Sequence, residues 1–63
     1  MPHINLSGPK IADLDRKREL TKVLTAATAK AYGLPPETIV VVINENAPEN
    51  VSVGGQLIID RPA

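Results

Sequence analysis

The sequence holds no cysteine, no tryptophan and no phenylalanine, with a single histidine, His3, and a single tyrosine, Tyr32. Without cysteine there is no disulfide framework, and one histidine leaves nothing to build a zinc site. One aromatic side chain cannot make a stacking platform for single-stranded nucleic acid. Seven lysines and arginines balance seven aspartates and glutamates, so no net field gathers nucleic acid or an anionic membrane. No apolar run nears the roughly 20 residues of a membrane-spanning helix, and no signal peptide is expected ahead of the first strand. The expectation is a soluble cytoplasmic protein, residues 1–63 forming one domain. Its length raises a difficulty, because a chain of 63 residues buries too little surface to be comfortable alone. Small scaffolds rely on disulfides, metals or oligomerisation, and here only oligomerisation remains.

What is present is ordered. Residues 2–7 alternate, with Ile4 and Leu6 on one side and His3, Asn5 and Ser7 on the other, which is the period of a strand. Gly8 and Pro9 end it. Asp13 or Asp15 can cap a helix, since a short carboxylate accepts free first-turn N–H groups. Leu20, Val23, Leu24, Ala27 and Ala31 then fall at helical spacing and predict the buried stripe. The basic stretch "DRKRELTK" reads as a solvated helix face with Asp/Glu–Lys/Arg pairs. Gly33 stops the helix and Pro35-Pro36 prevent its continuation. In "TIVVVIN", residues 38–44, Ile39 to Ile43 is apolar without alternation and rich in β-branched side chains, the composition of a strand covered on both faces. Gly54-Gly55 between two short runs predicts a two-residue hairpin.

Strand, helix, strand and hairpin make an α/β (α+β) fold: a βαβ unit with parallel strands and a right-handed crossover, followed by a C-terminal β-hairpin. One helix covers one face of a two-stranded sheet, so the other face needs cover from a second chain. The hairpin, having no core of its own, predicts an arm onto a neighbouring subunit.

Proline directly after the initiator methionine, a βαβ core of this length and "ENVSVGG" near the end resemble the 4-oxalocrotonate tautomerase family over nearly the whole chain. "GPK" after the first strand and "LIIDR" near the end resemble its DmpI-type branch. The resemblance implies a small enzyme that works without a cofactor or metal, most often a hexamer built as a trimer of dimers, sometimes from two kinds of subunit. It implies a small enol or keto acid as partner: a carboxylate-bearing 2-hydroxydienoate whose proton moves between oxygen and carbon. Pro2 would be the general base once Met1 is removed. While Met1 is attached, the nitrogen of Pro2 is an amide without useful basicity.

The chemistry asks for a base near neutral pKa. An ordinary α-amino group titrates at about 7.7–8.0, and apolar burial or nearby cations lower such a value. Ile4, Leu6, Val40 and Val51 are candidates for the burial, Lys10 and Arg61 for the charge. By ungapped matching, the family's two arginines and its phenylalanine fall at Ala12, Val40 and Val51. Lys10, two residues before Ala12, is the expected substitute cation, with Arg61 second and Val51 as a wall of the substrate site. Lysine holds a carboxylate as a point charge, without the fork of arginine. Lys10 lies at the far end of the strand headed by Pro2. Either its loop folds back, or Lys10 serves a neighbouring chain's Pro2. His3 reads as a subunit contact, Tyr32 as packing at the helix end and Asn50 as a turn residue. Two alternatives stay open: a non-catalytic or partner-dependent subunit, for which the missing arginines argue, and a haloacrylate hydratase or dehalogenase, which needs a water-activating carboxylate such as Glu45.

Overall fold

The structure is a computed structural model in which residues 1–62 are described. Strand β1 is His3–Gly8, helix α1 is Leu14–Tyr32, and strand β2 is Val40–Glu45. Two short strands, β3 at Ser52–Val53 and β4 at Gln56–Leu57, form the terminal hairpin. The expected βαβ unit and hairpin are both present.

The local signals act as their chemistry requires. Asp13 caps α1, its Oδ1 accepting the N–H groups of Asp15 at 2.9 Å and Arg16 at 3.5 Å. Gly33 closes the helix at φ 67°, its own N–H donating to the carbonyl of Ala29; that left-handed backbone suits glycine because other residues clash there. Gly54 and Gly55 both have positive φ, 61° and 85°, which suits a two-residue turn twisting with its strands. The basic stretch does pair within the helix's first turns, Arg18 with Asp15 at 2.8 Å and Arg16 with Asp13 at 3.9 Å.

β1 and β2 are parallel, with His3 beside Val40, Asn5 beside Val42 and Ser7 beside Asn44 on one face. Ile4–Val41, Leu6–Ile43 and Gly8–Glu45 occupy the other face, and Glu45 there reaches Lys17 of the helix, so α1 covers this face. Within the chain the opposite face is open: His3, Asn5, Ser7, Val42 and Asn44 are all exposed. The unbroken apolar run of β2 therefore has one face covered by its own chain and one not.

The helix stripe differs from its prediction. Leu20 and Leu24 are half-buried as expected, but Val23, Ala27 and Ala31 are exposed. Thr21, Thr25, Thr28 and Ala29 take the inner positions instead. Counting threonine as polar rotated the predicted stripe, although Thr21, Thr25 and Thr28 are all half-buried. Short 3₁₀ turns at Pro36–Thr38, Pro48–Asn50 and Ile58–Asp60 take residues that had read as strand or plain loop. Thr38 closes the first by donating from its hydroxyl to the carbonyl of Pro35.

The chain is open for its size. Among the described residues Ala29 alone is buried, and it keeps 7% of its surface exposed. The exposed surface is 4993 Å² for 6.7 kDa, against about 3,900 Å² for a folded monomer of that mass. The radius of gyration is 15.1 Å, where a compact chain of this length gives about 11 Å.

Candidate active site

The head of the strand pair is made by Pro2 and Val40. Pro2 is half-buried immediately before β1, and its carbonyl accepts the N–H of Val40 at 3.0 Å. A proline is tolerated at this first position because the ladder asks only for its carbonyl. Val40, one of the matched arginine positions, is half-buried beside it.

The tail holds the other candidates. Gly8 and Pro9 leave β1 and line two adjoining clefts. One, about 300 Å³, is bordered by Leu6, Lys10, Ile11 and Ile43. The other, about 230 Å³, is walled by Pro9, Pro48, Val51 and Ile58 with Asn46. Val51 thus stands in an apolar wall that adjoins the Lys10 loop. The hairpin reaches this wall through the N–H of Ile58, which donates to the carbonyl of Val51 at 2.8 Å. Arg61 follows the last 3₁₀ turn, its N–H donating to Ile58, and its side chain is exposed.

The loop does not fold back. Ile11 N–H donates to the Glu45 carboxylate at 2.7 Å, and the N–H of Asn46 donates to the carbonyl of Gly8 at 2.8 Å. Both bonds fasten the residues around Lys10 to the end of β2. β1 has six residues, a span of about 20 Å at roughly 3.3 Å each. The structure therefore brings Lys10 and Val51 to one end of the chain and leaves Pro2 at the other. Val51 does not bury the same chain's Pro2, as the sequence had allowed, because a parallel pair with a short loop keeps head and tail apart. Val40 does adjoin Pro2.

Glu45 has partners that its position after a strand does not announce. Besides the Ile11 amide it binds Lys17 Nζ at 2.8 Å. The Lys17 bond first, and the Ile11 N–H second, hold its carboxyl below the ordinary glutamate value. A carboxylate so engaged is a weak base, poorly suited to activating water. No local pattern marks this role, since Ile11 and Glu45 lie 34 positions apart. No helix among the described residues is long and apolar enough to cross a membrane.

Comparison with known proteins bears on this arrangement. A family model described as "Tautomerase enzyme" matches residues 2–61. A probable tautomerase from Bacillus cereus is 31% identical over 61 residues, covering 97% of this chain and 100% of the relative. Among solved structures, DmpI from Archaeoglobus fulgidus is 42% identical, with 94% of this chain and all of that one covered, at a TM-score of 0.84. A heterohexameric 4-oxalocrotonate tautomerase from Chloroflexus aurantiacus is 27% identical, covering 94% and 92% of the two chains, at a TM-score of 0.71.

Proposed function

The chain belongs to the tautomerase family, and we propose that it is a cofactor-independent keto–enol tautomerase acting on a small carboxylate-bearing 2-hydroxydienoate or related enol. The observation that carries the reading is the family match itself, which begins at Pro2 and runs through Arg61. With Met1 removed, Pro2 presents a secondary amine fixed by its ring and by the Val40 bond. The amine takes the proton of the enol hydroxyl; the electron pair of the O–H bond becomes the carbonyl π bond, the C=C pair shifts along the conjugated chain, and the carbon it reaches takes the proton back from the protonated Pro2 amine. Lys10 holds the substrate carboxylate, and Pro9, Val51 and Ile58 line its apolar part.

Because Pro2 and Lys10 sit at opposite ends of one chain, the site is completed between chains. The carbonyls of Pro2 and Gly8 accept from β2 and its continuation, so even-numbered residues of β1 face β2. Parallel alternation then turns the backbone groups of His3, Asn5 and Ser7 to a free edge. Two copies joined antiparallel across that edge bring the head of one β1 beside the tail of the other. That junction leaves the helix-free sheet face open, and packing of such dimers through this face takes up the excess exposed surface. A homo-oligomer, with the hexamer as the expected form, follows from that need; the heterohexameric relative lends support to assembly but not to its stoichiometry here.

The test uses protein whose intact mass establishes loss of Met1. It should ketonise 2-hydroxymuconate or phenylenolpyruvate faster than buffer. Pro2→Ala should lower the rate by about 10²–10⁴-fold, the usual contribution of a general base. Undiminished activity in protein that keeps Met1 refutes Pro2 as the base.

A further inference from the structure

Glu45 stands at the last position of β2 and bonds outward in two directions, to the backbone of the β1–α1 loop and to the helix. The loop it holds, residues 9–13, has no regular structure of its own. Lys10 sits in that loop directly before Ile11, whose N–H is the group Glu45 grips at 2.7 Å. A loop lysine has four side-chain torsions, so its reach toward a substrate depends on where the backbone starts it. Fixing the peptide between Lys10 and Ile11 fixes that start. The Lys17 ammonium at 2.8 Å holds the carboxylate from the helix side and is itself satisfied by it. Lys17 and Glu45 side chains are each about a quarter exposed, so the clamp is partly shielded from water.

We propose that Glu45 is a positioning residue: by accepting the Ile11 N–H and binding Lys17, it holds the Lys10 ammonium where it receives the substrate carboxylate, while keeping Lys17 out of that role. The inference rests on the reading of Lys10 given above. The charged groups facing Glu45 are Lys17 from the helix and Lys10 from the loop. Both favour its ionised form, in keeping with its lowered pKa.

The experiment is a double-mutant cycle on the assembled, Met1-processed enzyme with 2-hydroxymuconate, reading KM and kcat separately. Glu45→Ala should raise KM about tenfold and leave kcat within about threefold, the signature of lost binding common to ground and transition states. In a Lys10→Ala background the same change should have little further effect, because residues acting through one another are not additive. Glu45→Gln keeps an acceptor for Ile11 and should hold KM within about threefold of the wild type. If Glu45→Ala costs as much without Lys10 as with it, Glu45 is structural and the inference falls alone. If Lys10→Ala changes nothing, the assignment of Lys10 falls and takes the inference with it. A measurement that needs no variant is the Ile11 amide proton shift followed as pH is lowered in the wild-type oligomer. Its inflection should lie below the ordinary glutamate value of about 4.3; an inflection at that value, or none, overturns the clamp.

Discussion

At its head the β1–β2 pair carries Pro2, held by one backbone bond to Val40, while at its tail the Lys10 loop is held by the Glu45–Ile11 and Asn46–Gly8 bonds and flanked by an apolar wall from the hairpin. On the proposed reading, the difference follows from what each end would supply. A base that is itself a ring nitrogen on the main chain needs no side chain positioned, and strand geometry suffices. A cation on a flexible stem and a wall of aliphatic groups need a loop fixed in space, and that takes bonds across 34 positions of sequence. On that reading each end is half of a site. Neither half faces the other within one chain.

The largest effect should come from breaking the union of the two ends. Asn5 sits near the middle of β1, and its backbone N–H points to the free edge rather than to β2. Asn5→Pro removes that donor and sets a ring against the edge while leaving the β1–β2 ladder its bonds. Two copies of the change face one antiparallel junction, and each net hydrogen bond contributes roughly 0.5–1.5 kcal/mol. The dissociation constant of the assembly should rise by about fivefold to 150-fold, for the roughly 1–3 kcal/mol that two such bonds contribute, and activity should fall steeply on dilution. Sedimentation at micromolar concentration checks it. Wild-type assembly in Asn5→Pro places the junction elsewhere.

A second experiment sharpens the comparison by joining damaged halves. Pro2→Ala chains have an intact tail, and Lys10→Ala chains an intact head. Refolded together in equal amounts, half of the dimers are mixed, and each mixed dimer holds one intact site and one doubly damaged. About a quarter of all sites are then complete under two-fold symmetry, and activity should recover to about that fraction. Sites contained within single chains give no recovery beyond the sum of the two variants.

The sequence disclosed features set by near neighbours more fully than those set by distant ones, for a physical reason. Pro2, the Asp13 cap, the Gly33 stop and the Gly54-Gly55 turn each follow from chemistry within a few residues. The parallel pairing followed from order alone. The inner stripe of α1 was misplaced at Val23, Ala27 and Ala31 because Thr21, Thr25 and Thr28, which count as polar in a pattern, take half-buried positions. Glu45 was legible as a carboxylate after a strand, but its partners Ile11 and Lys17 are neighbours only in the fold. Val51 was found through a family position, and its companions Pro9, Pro48 and Ile58 became visible only when the hairpin folded beside the end of β1.

Arg61 tests how far the tail extends. It is the other cation the sequence offered for the substrate, and it follows the 3₁₀ turn whose first residue, Ile58, lines the apolar cleft. Its backbone is anchored, the N–H donating to Ile58 at 3.1 Å, but its side chain is exposed. An exposed charge pairs weakly with a carboxylate, by roughly 0–1 kcal/mol after screening and side-chain entropy. Lys10 starts from a clamped peptide and Arg61 from the last turn of an arm, so the same charge costs more entropy to hold at Arg61. Arg61→Ala should therefore lower kcat/KM no more than about fivefold, the most that such a pair supplies, against a tenfold to hundredfold loss for Lys10→Ala from a charge-assisted bond of roughly 1.5–3 kcal/mol. Raising salt should shrink the Arg61 effect further, because exposed pairs are the ones screened. Steady-state kinetics of both variants at low and high ionic strength decide the ranking. A larger and salt-insensitive loss for Arg61→Ala makes the hairpin arm, and not the clamped loop, the half-site that holds the substrate's charge.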